Sequence, residues 1–366
     1  MRQIQIPSGM RDVFPSDCIK KKTLKKRIEG VYESYGYRFI ETPLIEYYAS
    51  YQQVFPLIEE EELYKIVDEN GKIMALRTDM TLPIARLCAT KYRDSQTPMR
   101  FAYSANVYKV RQAFAGKRNE VTDCGVELIG LDSHADMEVV ACACDVMDTI
   151  RCGRYVLEIG DSNFLRLACR KARLDKEQMQ MMALLVDRKE MPRLKEFVNA
   201  LDLGEQERGF FRHVPLMNGK NALAEAKALC FDDELKAIVE RLERLGDGLK
   251  RLGYDNIAFD LGKAPRLEYY TGIIFEAYVE NIGTAVLSGG RYDGMLAKLG
   301  KDWPACGFGV KLDYILDVLP EEKDATIKLC YPKEQVLQAL EKARELRKEY
   351  NVEMVPWDRE EMEVEL

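Results

Sequence analysis

Histidine is scarce in this 366-residue chain, with only His134 and His213, and its ten cysteines include no Cys-x-x-Cys pair. Metal frameworks depend on such ligand spacing, so no metal site is expected and the thiols read as reduced and mostly buried. Cys142 and Cys144 lie in the apolar run MEVVACACDVMDTI, where cysteine packs as a small hydrophobe. No stretch of about 18 apolar residues occurs, which argues against a membrane-spanning helix. The opening MRQIQIPSGMRDVFP lacks the apolar core of a signal peptide, so a cytoplasmic location is expected. Positive charge is also in short supply: 54 Lys and Arg face 61 Asp and Glu, a net charge of −7. From Glu321 to Leu366 the imbalance is 13 acidic against 8 basic residues. Nucleic-acid binding normally needs a basic patch that displaces counterions, so an RNA partner is not expected. Neither a membrane partner nor a cofactor is indicated.

A hydrophobic content of 47% and a charged content of 31% describe a globular chain long enough for two domains. SDCIKKKTLKKRIEGVYESYG reads as a helix, with Ser16 as N-cap and Leu24, Ile28 and Tyr32 near one face. ELYKIVDENGKIMALR reads as a hairpin turning at Asn70-Gly71. MRFAYSANVYKV and NEVTDCGVELIG read as a pair of strands, which favours an antiparallel sheet. From about Asp161 to Gly253 the pattern is helical, and DDELKAIVERLERLGDGLKRLG carries a stripe from Leu235 to Leu252 that predicts a packing seam. Sheet character resumes with NIAFDLG, YYTGIIFEAYV and GTAVLSGG. The chain ends in a short strand–helix–strand, TIKLCYP to NVEMVPW. The fold class is therefore α+β, a sheet domain interrupted by a helical block.

Four polar clusters accompany the strands: Arg77, Asp79 and Thr81; Lys109, Arg111, Asp123 and Glu127; Arg266, Glu268, Tyr269 and Tyr270; and SGGRYDGMLAKLG, with Gly289 and Gly290. Paired glycines let a backbone approach a ligand, although singly each cluster also reads as surface ion pairs or a turn.

In order, PSGMRDVFP, LRTDMTLPIAR, CGVELIG, EYYTGIIFEAY, SGGRYDGMLAKLG and CGFGVKL resemble the histidyl-tRNA synthetase catalytic domain. They look most like its non-synthetase paralogues, the regulatory subunits of ATP phosphoribosyltransferase. The resemblance implies a class II aminoacyl-tRNA synthetase-like core over residues 1–319, a six-stranded antiparallel sheet flanked by helices with a helical insertion at about 161–253. Residues 320–366 then look like a short α/β remnant of an anticodon-binding domain.

By the same resemblance, Asp79, Thr81, Asp123, Glu127, Tyr269, Tyr270, Gly289 and Gly290 form a histidine pocket, with Asp123 where the synthetase has glutamine. The ATP side looks degenerate. Lys109 stands for an arginine, Arg111 for a glutamate, Pro265 for an arginine beside Arg266, and Tyr314 for another arginine. Lysine is a poor substitute for a bidentate arginine clamp, and phosphate chemistry needs such cations. The resemblance thus implies no catalysis. It implies a regulatory subunit that joins a short-form ATP phosphoribosyltransferase catalytic subunit, with histidine as effector, self-dimerisation near Pro7–Pro15, and no tRNA. The alternative is a divergent histidine-activating ligase.

Overall fold

The computed structural model describes residues 5–55, 58, 60–95, 98–110, 118–263, 270–320 and 326–365. It forms two compact units, one of Met1–Asp12 with Lys21–Leu319, the other of Val13–Lys20 with Pro320–Leu366. The strands in chain order are β1 (Arg38–Phe39), β2 (Ile45–Tyr47), β3 (Lys65–Val67), β4 (Ile73–Leu76) and β5 (Met99–Tyr108). Next come β6 (Glu120–Ile129), β7 (Tyr155–Asp161), β8 (Asn218–Gly219), β9 (Ile257–Asp260) and β10 (Ile273–Val279). The last are β11 (Leu287–Arg291), β12 (Ala305–Lys311), β13 (Thr326–Pro332), β14 (Asn351–Trp357) and β15 (Glu363–Glu365).

The main sheet has nine strands in the order β1-β5-β6-β12-β11-β10-β7-β9-β8. It is mixed, because β1 pairs with β5 and β7 with β9 in parallel. The expectation of a six-stranded antiparallel sheet is corrected accordingly. The run from β5 to β7 is antiparallel throughout, and β1, β9 and β8 widen it at its edges. The hairpin of β3 and β4 forms in register Val67↔Ile73. Its turn is longer than a two-residue Asn-Gly turn: Asp68 Oδ1 accepts the N–H groups of Asn70 and Lys72, and Gly71 has a φ of 78°. In the smaller unit β13 lies between parallel β14 and antiparallel β15, with helix Val336–Leu346 burying Ala339 and Ala343.

Alternation along the strands divides the core. Cys124, Val126 and Leu128 of β6 face a cluster that includes Leu24, Ile28 and Tyr32 of helix Pro15–Ser34 and the buried residues of helix Asp136–Ile150. The Tyr32 hydroxyl donates to the Cys124 carbonyl at 3.0 Å. That helix begins at Pro15, which suits a first helical position, so Ser16 lies inside its first turn and is not the N-cap. Phe101 and Tyr103 face the opposite side, against Leu82 and Ile84 of helix Thr81–Thr90. Six helices between Ser162 and Arg251 fill the interval between β7 and β9. In helix Asp233–Arg251 the buried seam is Leu235, Val239, Leu242, Leu245 and Leu249, whereas Leu252 at the end of the stripe is 60% exposed. All ten cysteines are free thiols, and nine of them are buried.

Candidate functional site

The strand register brings two carboxylates to one recess, and Asp79, ahead of helix Thr81–Thr90, adds a third. On β6, Asp123, Gly125 and Glu127 share the face away from Cys124 and Val126. On β12 their partners are Lys311, Gly309 and Gly307. Tyr103 of β5 lies opposite Gly125. Glycine is required at the two β12 positions for space: a Cβ on Gly307 would collide with Glu127 Oε2, and one on Gly309 with Asp123 Oδ1. The floor is therefore bare main chain beneath carboxylates. The cavity above it measures about 140 Å³ and is lined in part by Thr78, Asp79, Thr81, Tyr270, Ser288 and Tyr292.

Glu127 is 2% exposed and accepts hydrogen bonds from Thr81 Oγ1 at 2.9 Å and from the Tyr292 hydroxyl. Burial pushes its carboxyl up to about 8, against the lowering effect of those two donors. Asp123 is pushed up to about 7, again by burial, with Lys311 opposing the shift and Asp79 adding to it. Asp79 has a double use. Its Oδ1 accepts the Leu82 N–H at 3.1 Å at the start of helix Thr81–Thr90, and its Oδ2 accepts from Thr78 Oγ1 at 2.9 Å. Capping by a carboxylate satisfies a helical N–H that has no partner within the helix. The Tyr103 and Tyr292 hydroxyls lie well above their ordinary range because they are buried. This wall of acids and hydroxyls suits a small ligand with cationic nitrogen groups, since a buried cation needs carboxylate partners.

The neighbouring cations other than Lys311 are engaged by the chain's own acids. Lys109 Nζ pairs with Glu62 at 2.5 Å. Arg118 pairs with Asp317 at 3.2 Å and Asp313 at 3.7 Å, and Arg11 approaches the same two carboxylates at 3.6 and 3.8 Å. Lys21 donates to Asp313 at 3.1 Å, and the Thr122 N–H does so at 2.6 Å. Lys311 Nζ donates to Ser288 Oγ at 3.2 Å.

Of the residues singled out in the sequence, Asp79, Thr81, Asp123, Glu127, Tyr270, Gly289, Lys109 and Tyr314 line this one cavity. Gly290 does not; the space where its Cβ would stand is taken by the Tyr270 ring and the Ile273 carbonyl. Tyr269, Arg111, Pro265 and Arg266 lie outside the described residues. Two arginines from the polar clusters are structural. Arg77 donates to the carbonyls of Asn106 and Thr42. Arg291, 2% exposed, is held by Asp136 at 2.6 Å and Asp293 at 2.8 Å. Tyr103, Tyr292, Arg118 and the two β12 glycines also belong to the lining but were not singled out. A signal existed for Gly307 and Gly309, because Gly-x-Gly in a strand often marks close approach to a ligand or backbone.

Residues 9–315 match the family model described as histidyl-tRNA synthetase. The chain is 30% identical over 356 residues to an ATP phosphoribosyltransferase regulatory subunit of Ruminiclostridium cellulolyticum, covering 95% of this chain and 85% of the relative. Against that of Clostridium kluyveri it is 32% identical over 357 residues, covering 93% and 90%. A solved structure from Bacillus halodurans C, an ATP phosphoribosyltransferase regulatory subunit/histidyl-tRNA synthetase, matches with a TM-score of 0.86 at 30% identity. That match covers 96% of this chain and 92% of the other. A histidyl-tRNA synthetase from Nostoc sp. PCC 7120 shares the fold at 21% identity, with a TM-score of 0.81 over 98% and 88% of the two chains. The chain therefore belongs to the histidyl-tRNA synthetase family, with a class II synthetase-like α+β core. Within it the chain belongs with the ATP phosphoribosyltransferase regulatory subunits of histidine biosynthesis, and its role is regulatory and non-catalytic.

Proposed function

We propose that this chain works in the cytoplasm bound to a short-form ATP phosphoribosyltransferase catalytic subunit. It is required there for condensation of ATP with phosphoribosyl pyrophosphate and carries the feedback inhibition of that step by histidine. One observation carries the effector part: Asp79, Asp123 and Glu127 surround a cavity of about 140 Å³. That volume is well below the roughly 300–1,000 Å³ of sites for drug-sized ligands. It suits one small amino acid. The pairing of Lys109 with Glu62, and of Arg118 with Asp313 and Asp317, supports the same reading over that of a histidine-activating ligase, which needs cations available to phosphates.

In this reading residues 1–319 are the synthetase-like core with its insertion at about 161–253, and residues 320–366 are a remnant of an anticodon-binding domain. Two copies associate near Pro7–Pro15. Histidine acts by binding the active and inactive forms of the complex with different affinity, since equal affinity shifts nothing. The test is phosphoribosyl-ATP formation by the purified catalytic chain of the same genome, with and without this chain, repeated with millimolar histidine. Activation that histidine reverses is expected, and no activation overturns the proposal. Size-exclusion with light scattering checks the dimer; a monomer alone and in the complex removes it.

A further inference from the structure

Glu127 and Asp123 face the cavity from the same strand, yet only one of them is met by donors. Glu127 accepts from Thr81 and Tyr292. Asp123, 9% exposed, keeps Oδ1 buried with no hydrogen-bond donor among the described residues. Leaving a buried carboxylate oxygen unmet is costly, and a ligand can supply the donor that the protein does not. The glycines of β12 fix the separation. Glu127 Oε2 fills the space over Gly307, while Asp123 Oδ1 and the Tyr103 hydroxyl fill the space over Gly309. Gly307 and Gly309 are two apart on β12, roughly 7 Å, and Asp123 and Glu127, four apart on β6, reach over them. A small ligand with two nitrogen groups bridges that gap.

The groups around Asp123 come from every neighbouring element. Lys311 of β12 lies opposite it in register, with its amine on Ser288 Oγ. Tyr103 stands on β5, and Asp79 stands at the start of helix Thr81–Thr90. Arg118, Lys109 and Tyr314 also line the cavity, the first two tied to acids as described. On the far side of β6, Tyr32 is bonded to the Cys124 carbonyl. With Lys109 and Arg118 tied to their own acids, the cavity sets three carboxyl groups against the amine of Lys311.

We propose that the cavity is a receptor for two positive charges, and that histidine occupies it with its imidazole ring protonated, the α-ammonium on one of Asp123 and Glu127 and the imidazolium on the other. The proposal rests on the reading that histidine binds here. In free solution near pH 7.5 the ring is mostly neutral, since its ordinary pKa is about 6.5. Burial holds the carboxyl groups of Asp123 and Glu127 at about 7 and about 8, so the empty cavity stores a proton. On binding, an O–H bond of a cavity carboxyl is exchanged for an N–H bond of the ring. Above about pH 8 the empty cavity has given up its protons, and each histidine bound takes one from solvent. Affinity then falls about tenfold per pH unit.

The experiment uses the full chain and histidine labelled with ¹⁵N in the ring, observed by NMR at pH 8, with calorimetric titrations of the same ligand from pH 7 to 9.5. Both ring nitrogens at imidazolium shifts in the bound state are expected. The affinity is expected to fall above pH 8 for the unmodified chain and to stay flat to pH 9 in folded Asp123→Asn. β-(2-Thienyl)alanine, which has no ring nitrogen, is expected to show no fall over that range in either chain. Bound histidine with the shifts of a neutral tautomer, or the same steep fall in Asp123→Asn, overturns the two-charge proposal while leaving histidine in the cavity. Absence of histidine binding at every pH overturns both readings.

Discussion

At the scale of single residues, the acids of the cavity leave a mark on stability. Glu127 has a folded pKa of about 8, above its ordinary value, because it is buried. A carboxyl raised in this way contributes stability that is fully present below its unfolded value near 4.5 and is lost as pH rises through about 8. Asp123 acts in the same direction, with loss through about 7. The ligand-free chain is therefore expected to melt at lower temperature at pH 8.5 than at pH 5.5. Glu127→Gln keeps an oxygen for Thr81 and Tyr292 but does not titrate, so thermal melts across that range should be flatter for the variant. Gly307→Ala is expected to fail differently. Its Cβ would meet both Glu127 Oε2 and the Val126 carbonyl, and main chain cannot move aside cheaply. A loss of about 1–3 kcal/mol in urea denaturation, with loss of histidine binding, is the expected result. The acids themselves were legible from short motifs. Tyr103 was not, because only the register Tyr103↔Gly125 brings it over the recess.

At the scale of elements, helix Asp233–Arg251 shows what periodicity can and cannot reveal. Its leucine spacing announced a seam, and five side chains are buried along it, with Gly246 packed closely on Phe259 of β9. The stripe ran one position too far, since the leucine after the last turn faces solvent. Leu242→Ala should cost about 2–5 kcal/mol, as a buried leucine does, whereas Leu252→Ala should stay within about 0.5 kcal/mol; chemical denaturation of the two variants checks the contrast. Very short strands escape such reading altogether. β1 and β8 have two residues each, a single period of alternation and too few to show a repeat. The extra width of the sheet could not be read from the chain for that reason, and the parallel pairing of β9 with β7 depends on the whole intervening helical block.

Across the whole molecule, the site depends on contacts between distant stretches of chain. Asp123 is paired with Lys311, and Ile274 with Gly160, while the insertion helices lie between nearer neighbours in sequence. Closing such long loops is slow relative to local helix formation. In pulse-labelled hydrogen exchange during refolding, amides of helix Asp233–Arg251 should gain protection before those of β6 and β12. Simultaneous protection would count against this order. The same topology explains why a strand reading located the pieces of the site without their arrangement. Which strands neighbour one another is a property of the complete sheet; the family resemblance, not local pattern, grouped the site residues.

The bare floor of the cavity has a practical consequence for anyone redesigning this receptor. A pocket floored by side chains can be deepened by trimming them, but one floored by Gly307 and Gly309 is already as deep as its backbone allows. New ligand preferences must therefore come from the walls. A saturation library should return altered selectivity at positions 79, 123 and 127 and almost nothing that survives at 307 and 309, so the adjustable part of the receptor is its charge, while its depth is fixed.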